Sequence, residues 1–125
     1  MLKKSSVTGL LVILVVLLGV LLPSRLAEPA SMQDETRVEC DPIQLAVFSN
    51  RVQVRCASPV PGTNILFFAA PVSAANADSF LTLAASAMDA GGTLRITFDL
   101  LDQSGAALRC DVDNCRLILW MSLDS

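Results

Sequence analysis

The chain has 125 residues and contains neither histidine nor tyrosine. Without imidazole, the commonest side chain for general acid–base catalysis and for metal ligation is missing. An enzyme built from this sequence would have to use carboxylates, serines or arginines, and no catalytic, cofactor or metal motif brings such residues together. We therefore expect a protein that is not an enzyme and carries no cofactor or metal.

Basic residues are scarce beyond the N-terminus. From residue 31 onward there is no lysine, and six arginines stand against eleven acidic residues, a net charge of −5. Binding to nucleic acid depends on clustered cationic side chains that displace counterions from the phosphates. This composition excludes nucleic acid as an expected partner.

One long apolar run is present at the N-terminus, where Lys3 and Lys4 precede sixteen uncharged residues, 7–22. A basic flank followed by an apolar core predicts an export signal within residues 1–30. Cleavage prefers small residues before the cut, and Arg25 and Glu28 do not fit, so an uncleaved membrane anchor through residues 1–22 stays open beside a cleaved signal peptide. Either way we expect the body of the chain in the periplasm or the secreted fraction.

Residues 31–36 are polar and non-periodic, which predicts a linker, and residues 37–125 then form one small domain. Within it, strands are predicted at 43–48 and 52–57 as a hairpin, at 65–70 as a buried strand and at 93–100 as a strand with one apolar face. Residues 77–90 have helical apolar spacing and end at Gly91-Gly92. A last hairpin is predicted from residues 106–110 and 115–123.

Four cysteines in a small exported domain predict two disulfides. Cys110 and Cys115 flank four turn-forming residues and can face each other across a hairpin. That pairing leaves Cys40 with Cys56, which would contribute about 3 kcal/mol by the chain-entropy estimate but needs a bend at Pro42. A four-cysteine zinc site is the alternative, although the two-residue spacing of zinc knuckles is absent.

The predicted order of strand, strand, strand, helix, strand, strand is that of the five-stranded OB barrel, so the expected fold is mainly β with one helix. The stretch FFAAPVS at 67–73, GTLRI at 92–96 and the Cys110–Cys115 spacing resemble the binding subunits of bacterial AB5 toxins, subtilase cytotoxin and typhoid toxin above all. The resemblance covers about two thirds of the chain. It implies OB-fold protomers that assemble as a pentameric ring and bind sialylated glycans.

The sequence departs from those toxins in ways that limit what the resemblance carries. Their third-strand cysteine is replaced near Ala69, and the tyrosines and serines of their sugar pocket have no clear equivalents. No glycan-contacting residue is therefore carried over. Arg55, Arg95 and Arg109 are candidates for holding an acidic ligand such as a sialic carboxylate, with a solvated surface as the alternative.

Two further groups of residues are open to more than one interpretation. The acidic residues near the last hairpin are calcium ligands or, as we expect, solvated turn carboxylates (Asp99, Asp102, Asp111, Asp113). Ile118 and Trp120, predicted on one face of the last strand, are candidates for an oligomer or partner contact, and Trp120 also for core or a sugar platform. The leading hypothesis is an exported, toxin-B-like binding or assembly module that takes a glycan or protein ligand and forms a homo-oligomer. The alternative is a membrane-anchored periplasmic domain for protein interaction.

Overall fold

The structure is a computed structural model and describes residues 35–124. The predicted export segment and the first residues of the predicted linker lie outside the described part. Within residues 35–124, no helix has the length and apolar character needed to cross a membrane.

The described residues form six strands and one α-helix. The strands are β1 (Glu35–Cys40), β2 (Pro42–Val47), β3 (Arg51–Cys56), β4 (Phe67–Pro71), β5 (Thr93–Asp99) and β6 (Cys115–Asp124). The helix, α1, spans Ala77–Ala90 between β4 and β5, and a 3₁₀ helix spans Ser104–Leu108.

All six strands belong to one sheet with the order β1-β5-β6-β4-β3-β2. The neighbours are antiparallel except β4 and β6, which are parallel. The mainly β character is confirmed, but the sheet has six strands rather than five and is not closed. The extra strand is β1, which starts inside the predicted linker, so the helix follows the fourth strand and not the third.

The predicted hairpin of residues 43–57 is present as β2 and β3, and the predicted helix is confirmed at its bounds. The helix buries Phe80, Ala84 and Ala87 on one side and ends at Gly91, whose positive φ of 64° gives the left-handed exit that glycine adopts without strain. Asn76 occupies the N-cap position without a side-chain capping bond.

The last hairpin is the clearest error of the sequence prediction. Residues 106–110 are not a strand: Ser104–Leu108 is a 3₁₀ helix, and β6 pairs with β5 and β4 instead. Gly105, Ala106 and Ala107 have little β-propensity, which explains why this segment does not extend.

The core lies between the sheet and the helix. Leu94, Ile96 and Phe98 of β5 are fully buried, and the Phe98 ring lies 5.0 Å from that of Phe68. A second small cluster joins Ala69 to the two cysteines of the last loop, Cys110 and Cys115.

Two disulfides are present, Cys40–Cys56 and Cys110–Cys115, each with a Cα–Cα distance of 5.2 Å. In the first, Cys40 ends β1 and the chain turns at Asp41 so that Pro42 pairs with Cys56. Two disulfides in so small a domain indicate an oxidising compartment.

Candidate functional site

A cavity of about 310 Å³ opens where the β2–β3 turn meets the loop that leads into β6. We call this cavity the hairpin-tip pocket. It is lined by the three residues between β2 and β3, by the first residue of β3 and by one residue of the loop (Phe48, Ser49, Asn50, Arg51, Arg109). The turn is closed by a hydrogen bond from the Phe48 amide to the Arg51 carbonyl at 2.8 Å. The pocket is thus built from two segments far apart in the sequence.

Arg51 is the central side chain of this pocket. It is 9% exposed, and its guanidinium carbon lies 3.8 Å from the centroid of the Phe48 ring, a cation–π contact. Its Nε donates to Gln53 Oε1 at 2.9 Å, and its Nη1 donates to Asn50 Oδ1 at 3.2 Å and to the Leu108 carbonyl at 2.9 Å. These bonds hold the guanidinium in one orientation and join the turn to the loop.

This buried cation has no acidic partner among residues 35–124. The ion pairs among residues 35–124 involve only Arg95, which binds Asp124 at 2.9 Å and Glu39 at 3.9 Å. A buried charge is costly unless it is paired, because it has lost its hydration. The Nη2 group of Arg51 makes no hydrogen bond within the described residues and remains free to donate to a ligand.

Arg109 brings a second positive charge to the pocket. It follows the 3₁₀ helix in the left-handed conformation, with φ of 65°, and among residues 35–124 it is the one non-glycine residue with positive φ. That conformation costs an L-residue roughly 1–2 kcal/mol. Its side chain is exposed, so the pocket combines one buried, hydrogen-bonded guanidinium with one exposed guanidinium.

Arg116 stabilises the loop that carries Arg109. This buried arginine donates from Nε to the Leu100 carbonyl at 2.8 Å and from Nη1 to the carbonyls of Val112 and Cys115. The Cys110–Cys115 disulfide closes the segment that directly follows Arg109. The position of Arg109 therefore depends on two separate restraints.

The three arginines predicted as ligand-binding candidates lie apart. Only Arg109 lines the hairpin-tip pocket. Arg55 is exposed on β3 with its guanidinium 5.7 Å from the Phe67 ring, and Arg95 is held by its ion pairs.

Three of the four acidic candidates each bind a backbone amide of their own turn, at 2.9 Å. Asp99 accepts from Leu101, Asp102 from Ser104, and Asp111 from Asp113. Such bonds are typical of turn carboxylates. No group of three or more potential metal ligands occurs within residues 35–124.

Ile118 and Trp120 do not share a face as predicted. A β-bulge at Leu119 shifts the register, so that Phe98 pairs with Ile118 and Thr97 with Trp120. Ile118 packs against the core, whereas Trp120 is 51% exposed on the outer face of the sheet. Trp120 is therefore not a core residue, and its role as a partner contact stays a prediction.

Fold and pocket together define a small, disulfide-bonded β domain with a pocket lined by two arginines. No protein-family model, no curated protein and no solved structure gives a significant match to this chain.

Sequence reasoning missed Asn50 and Arg51, which were interpreted only as a turn, and Phe48, which was interpreted only as the end of a strand. The signal that the sequence offered was the expected OB fold, because proteins of that fold bind oligosaccharides with the loops that follow their first and fourth strands.

Proposed function

We propose that this protein is an exported, non-enzymatic binding module whose hairpin-tip pocket takes a carboxylate-bearing glycan. The observation that carries the proposal is that the buried Arg51 lies beside Arg109 and has no acidic partner within the described part of the chain. Guanidinium groups pair with carboxylates through two parallel hydrogen bonds, which gives both strength and orientation. The domain has a net negative charge, whereas the lining of this pocket contains two arginines and no carboxylate. The pocket is therefore a positively charged place on an acidic domain.

The topology supports the same function. β1 and β2 are separated only by Asp41 and lie at opposite ends of the sheet order. If they are taken as two halves of one strand interrupted at Asp41, the element order becomes that of the OB barrel, and the pocket falls at the loops that this fold uses for binding. We therefore propose an opened OB-like fold, in keeping with the resemblance to toxin binding subunits.

The chemistry of the lining fits a sugar acid. The carboxylate would bind Arg51 Nη2 and Arg109, and Ser49 and Asn50 offer a hydroxyl and an amide to sugar hydroxyls. The exposed part of the Phe48 ring provides an apolar edge. The volume of about 310 Å³ is near the lower end of the range of ligand pockets, as expected for one terminal sugar residue.

The test is an NMR titration of the folded protein with sialyllactose, and lactose serves as the matched neutral ligand. The resonances observed are the backbone amides of Asn50, Arg51 and Leu108. Sialyllactose is expected to shift these resonances and lactose is not. Arg109→Gly removes the charge at a position whose backbone favours glycine, so this variant should gain roughly 0.5–1 kcal/mol of stability while its affinity falls about 10- to 100-fold.

Arg55→Gln is the matched control, because it removes an exposed arginine from β3 outside the pocket. It should bind sialyllactose like the wild type. Equal binding by the Arg109→Gly variant, or equal shifts with lactose at the same amides, would refute the proposal.

A further inference from the structure

A second concave site lies on the outer face of β1, β5 and β6, and it shares no residue with the hairpin-tip pocket. It is a depression of about 310 Å³, which we call the Trp120 platform (Glu35, Arg37, Thr97, Leu119, Trp120). Arg37, Thr97 and Trp120 are direct neighbours across the three strands. The bulge at Leu119 places two successive apolar residues at this surface, with Leu119 40% and Trp120 51% exposed.

Thr97 is the buried polar residue at the floor of this depression. Its side chain is 5% exposed, and its hydroxyl is the one buried side-chain polar atom among residues 35–124 that has no hydrogen-bond partner. Leaving such a group unpaired costs about 1–3 kcal/mol. The hydroxyl oxygen is covered in this structure, so a ligand hydroxyl would recover part of that energy only after the neighbouring side chains move aside.

The charges around the platform are balanced. Glu35 and Arg37 lie two residues apart on β1 and so project from the same face, one negative and one positive. Neither forms an ion pair within the described part of the chain. Their side chains offer acceptors and donors together, which matches adjacent hydroxyls that both donate and accept. A strongly charged ligand would meet repulsion from one of the two.

We propose that the Trp120 platform binds a neutral saccharide, with the apolar face of one pyranose ring stacked on the indole. Trp combines a large apolar surface with limited conformational freedom, which suits stacking of this kind. The ring hydroxyls pair with Glu35 and Arg37 at the rim and with Thr97 at the floor. The depression has room for about one sugar ring, near the lower end of the volume range of ligand pockets.

The chain provides its own probe, because it contains one tryptophan and no tyrosine. Intrinsic fluorescence of the full protein therefore reports on Trp120 alone. We expect saturable blue shifts of the emission during titration with at least one of the methyl β-glycosides of glucose, galactose and N-acetylglucosamine. The absence of a saturable shift with all three would overturn the proposal.

Thr97→Val separates binding from folding. Because the hydroxyl has no partner in the described segment 35–124, this variant should be at least as stable as the wild type, whereas its saccharide affinity should fall roughly five- to tenfold. Thr97→Ser keeps the hydroxyl and should keep the affinity. Wild-type affinity in the valine variant would contradict the proposed floor contact.

Two further outcomes distinguish this site from other interpretations. The Arg109→Gly variant should show the wild-type fluorescence response, so the two proposals can fail separately. An emission maximum that changes with protein concentration in the absence of sugar would show that a second copy covers Trp120, and it would overturn the saccharide assignment.

Discussion

Asp102 shows how single polar residues stabilise the long loop before β6. Its carboxylate accepts hydrogen bonds from the side chain and from the backbone amide of Ser104, the latter at 2.9 Å. The positive charge of Arg116 also attracts this carboxylate. These interactions hold the pKa of Asp102 below its ordinary value of 3.8, against the opposing effect of burial. The ionised form is thus favoured in the folded protein.

The pH dependence of stability follows from this direction. Because the pKa is lower in the folded state than in the unfolded state, ionised Asp102 stabilises the fold above the unfolded value of 3.8, and the contribution is lost as the pH falls below it. Asp102→Ala should lower the free energy of unfolding by about 1 kcal/mol at neutral pH. The difference in the free energy of unfolding between this variant and the wild type should shrink at pH values below 3.8. Denaturant unfolding at neutral pH and at a pH below 3.8 measures this difference.

Asp113→Ala provides the control, because Asp113 is an exposed acidic residue of the same loop. Its substitution should change stability little at either pH. A constant deficit of the Asp102→Ala variant from neutral to acid pH would contradict the assigned role of the charge.

At the scale of elements, the prediction from sequence succeeded where one local signal dominated. Helix α1 was predictable because Phe80, Ala84 and Ala87 repeat at helical spacing and Gly91 ends the run. Strand β5 was predictable because Leu94, Ile96 and Phe98 alternate with polar residues.

Elements defined by distant contacts were not predictable in this way. The two-residue alternation of β6 breaks at Leu119, since a bulge there inserts one residue opposite β5, and no residue of β6 signals it. Strand β1 was missed because its outward residues Glu35, Arg37 and Glu39 are charged and exposed, which resembles a linker. The hairpin-tip pocket as a whole could not be predicted from the sequence for the same reason. Arg51 and Arg109 are 58 positions apart and meet only in the fold.

The loop closed by Cys110–Cys115 can be tested as an element. Cys110→Ala together with Cys115→Ala opens a short covalent loop and should cost about 2 kcal/mol of stability. Because Leu108, whose carbonyl Arg51 binds, and Arg109 directly precede Cys110 in the chain, sialyllactose affinity should fall as well. Calorimetric titration of the folded variant measures the affinity, and binding equal to the wild type would show that Arg116 alone positions the loop.

For the molecule as a whole, the decisive feature is an open sheet whose two edge strands, β1 and β2, follow each other directly in the chain. Among the six described strands, β1 pairs only with β5, and β2 pairs only with β3. The Cys40–Cys56 disulfide links β1 to β3, the Asp41 carbonyl accepts from the Ala57 amide at 2.9 Å, and Asp41 Oδ1 accepts from Thr93 Oγ1 at 2.8 Å. Contacts at one residue and one disulfide thus replace a ladder of hydrogen bonds.

Removal of that link should therefore affect the sheet unevenly. Cys40→Ala together with Cys56→Ala opens a loop of 16 residues in sequence separation and should cost about 3 kcal/mol, more than loss of the shorter bridge. Amide hydrogen exchange should accelerate most in β1 and β2, because each is held by one neighbour, while β5 and β6 change only with global stability. Sialyllactose binding by the folded fraction should persist, since the hairpin-tip pocket lies at the turn after β2. Uniform acceleration across all six strands would show instead that β1 and β2 unfold only with the whole domain, and that the disulfide acts through the unfolded chain alone.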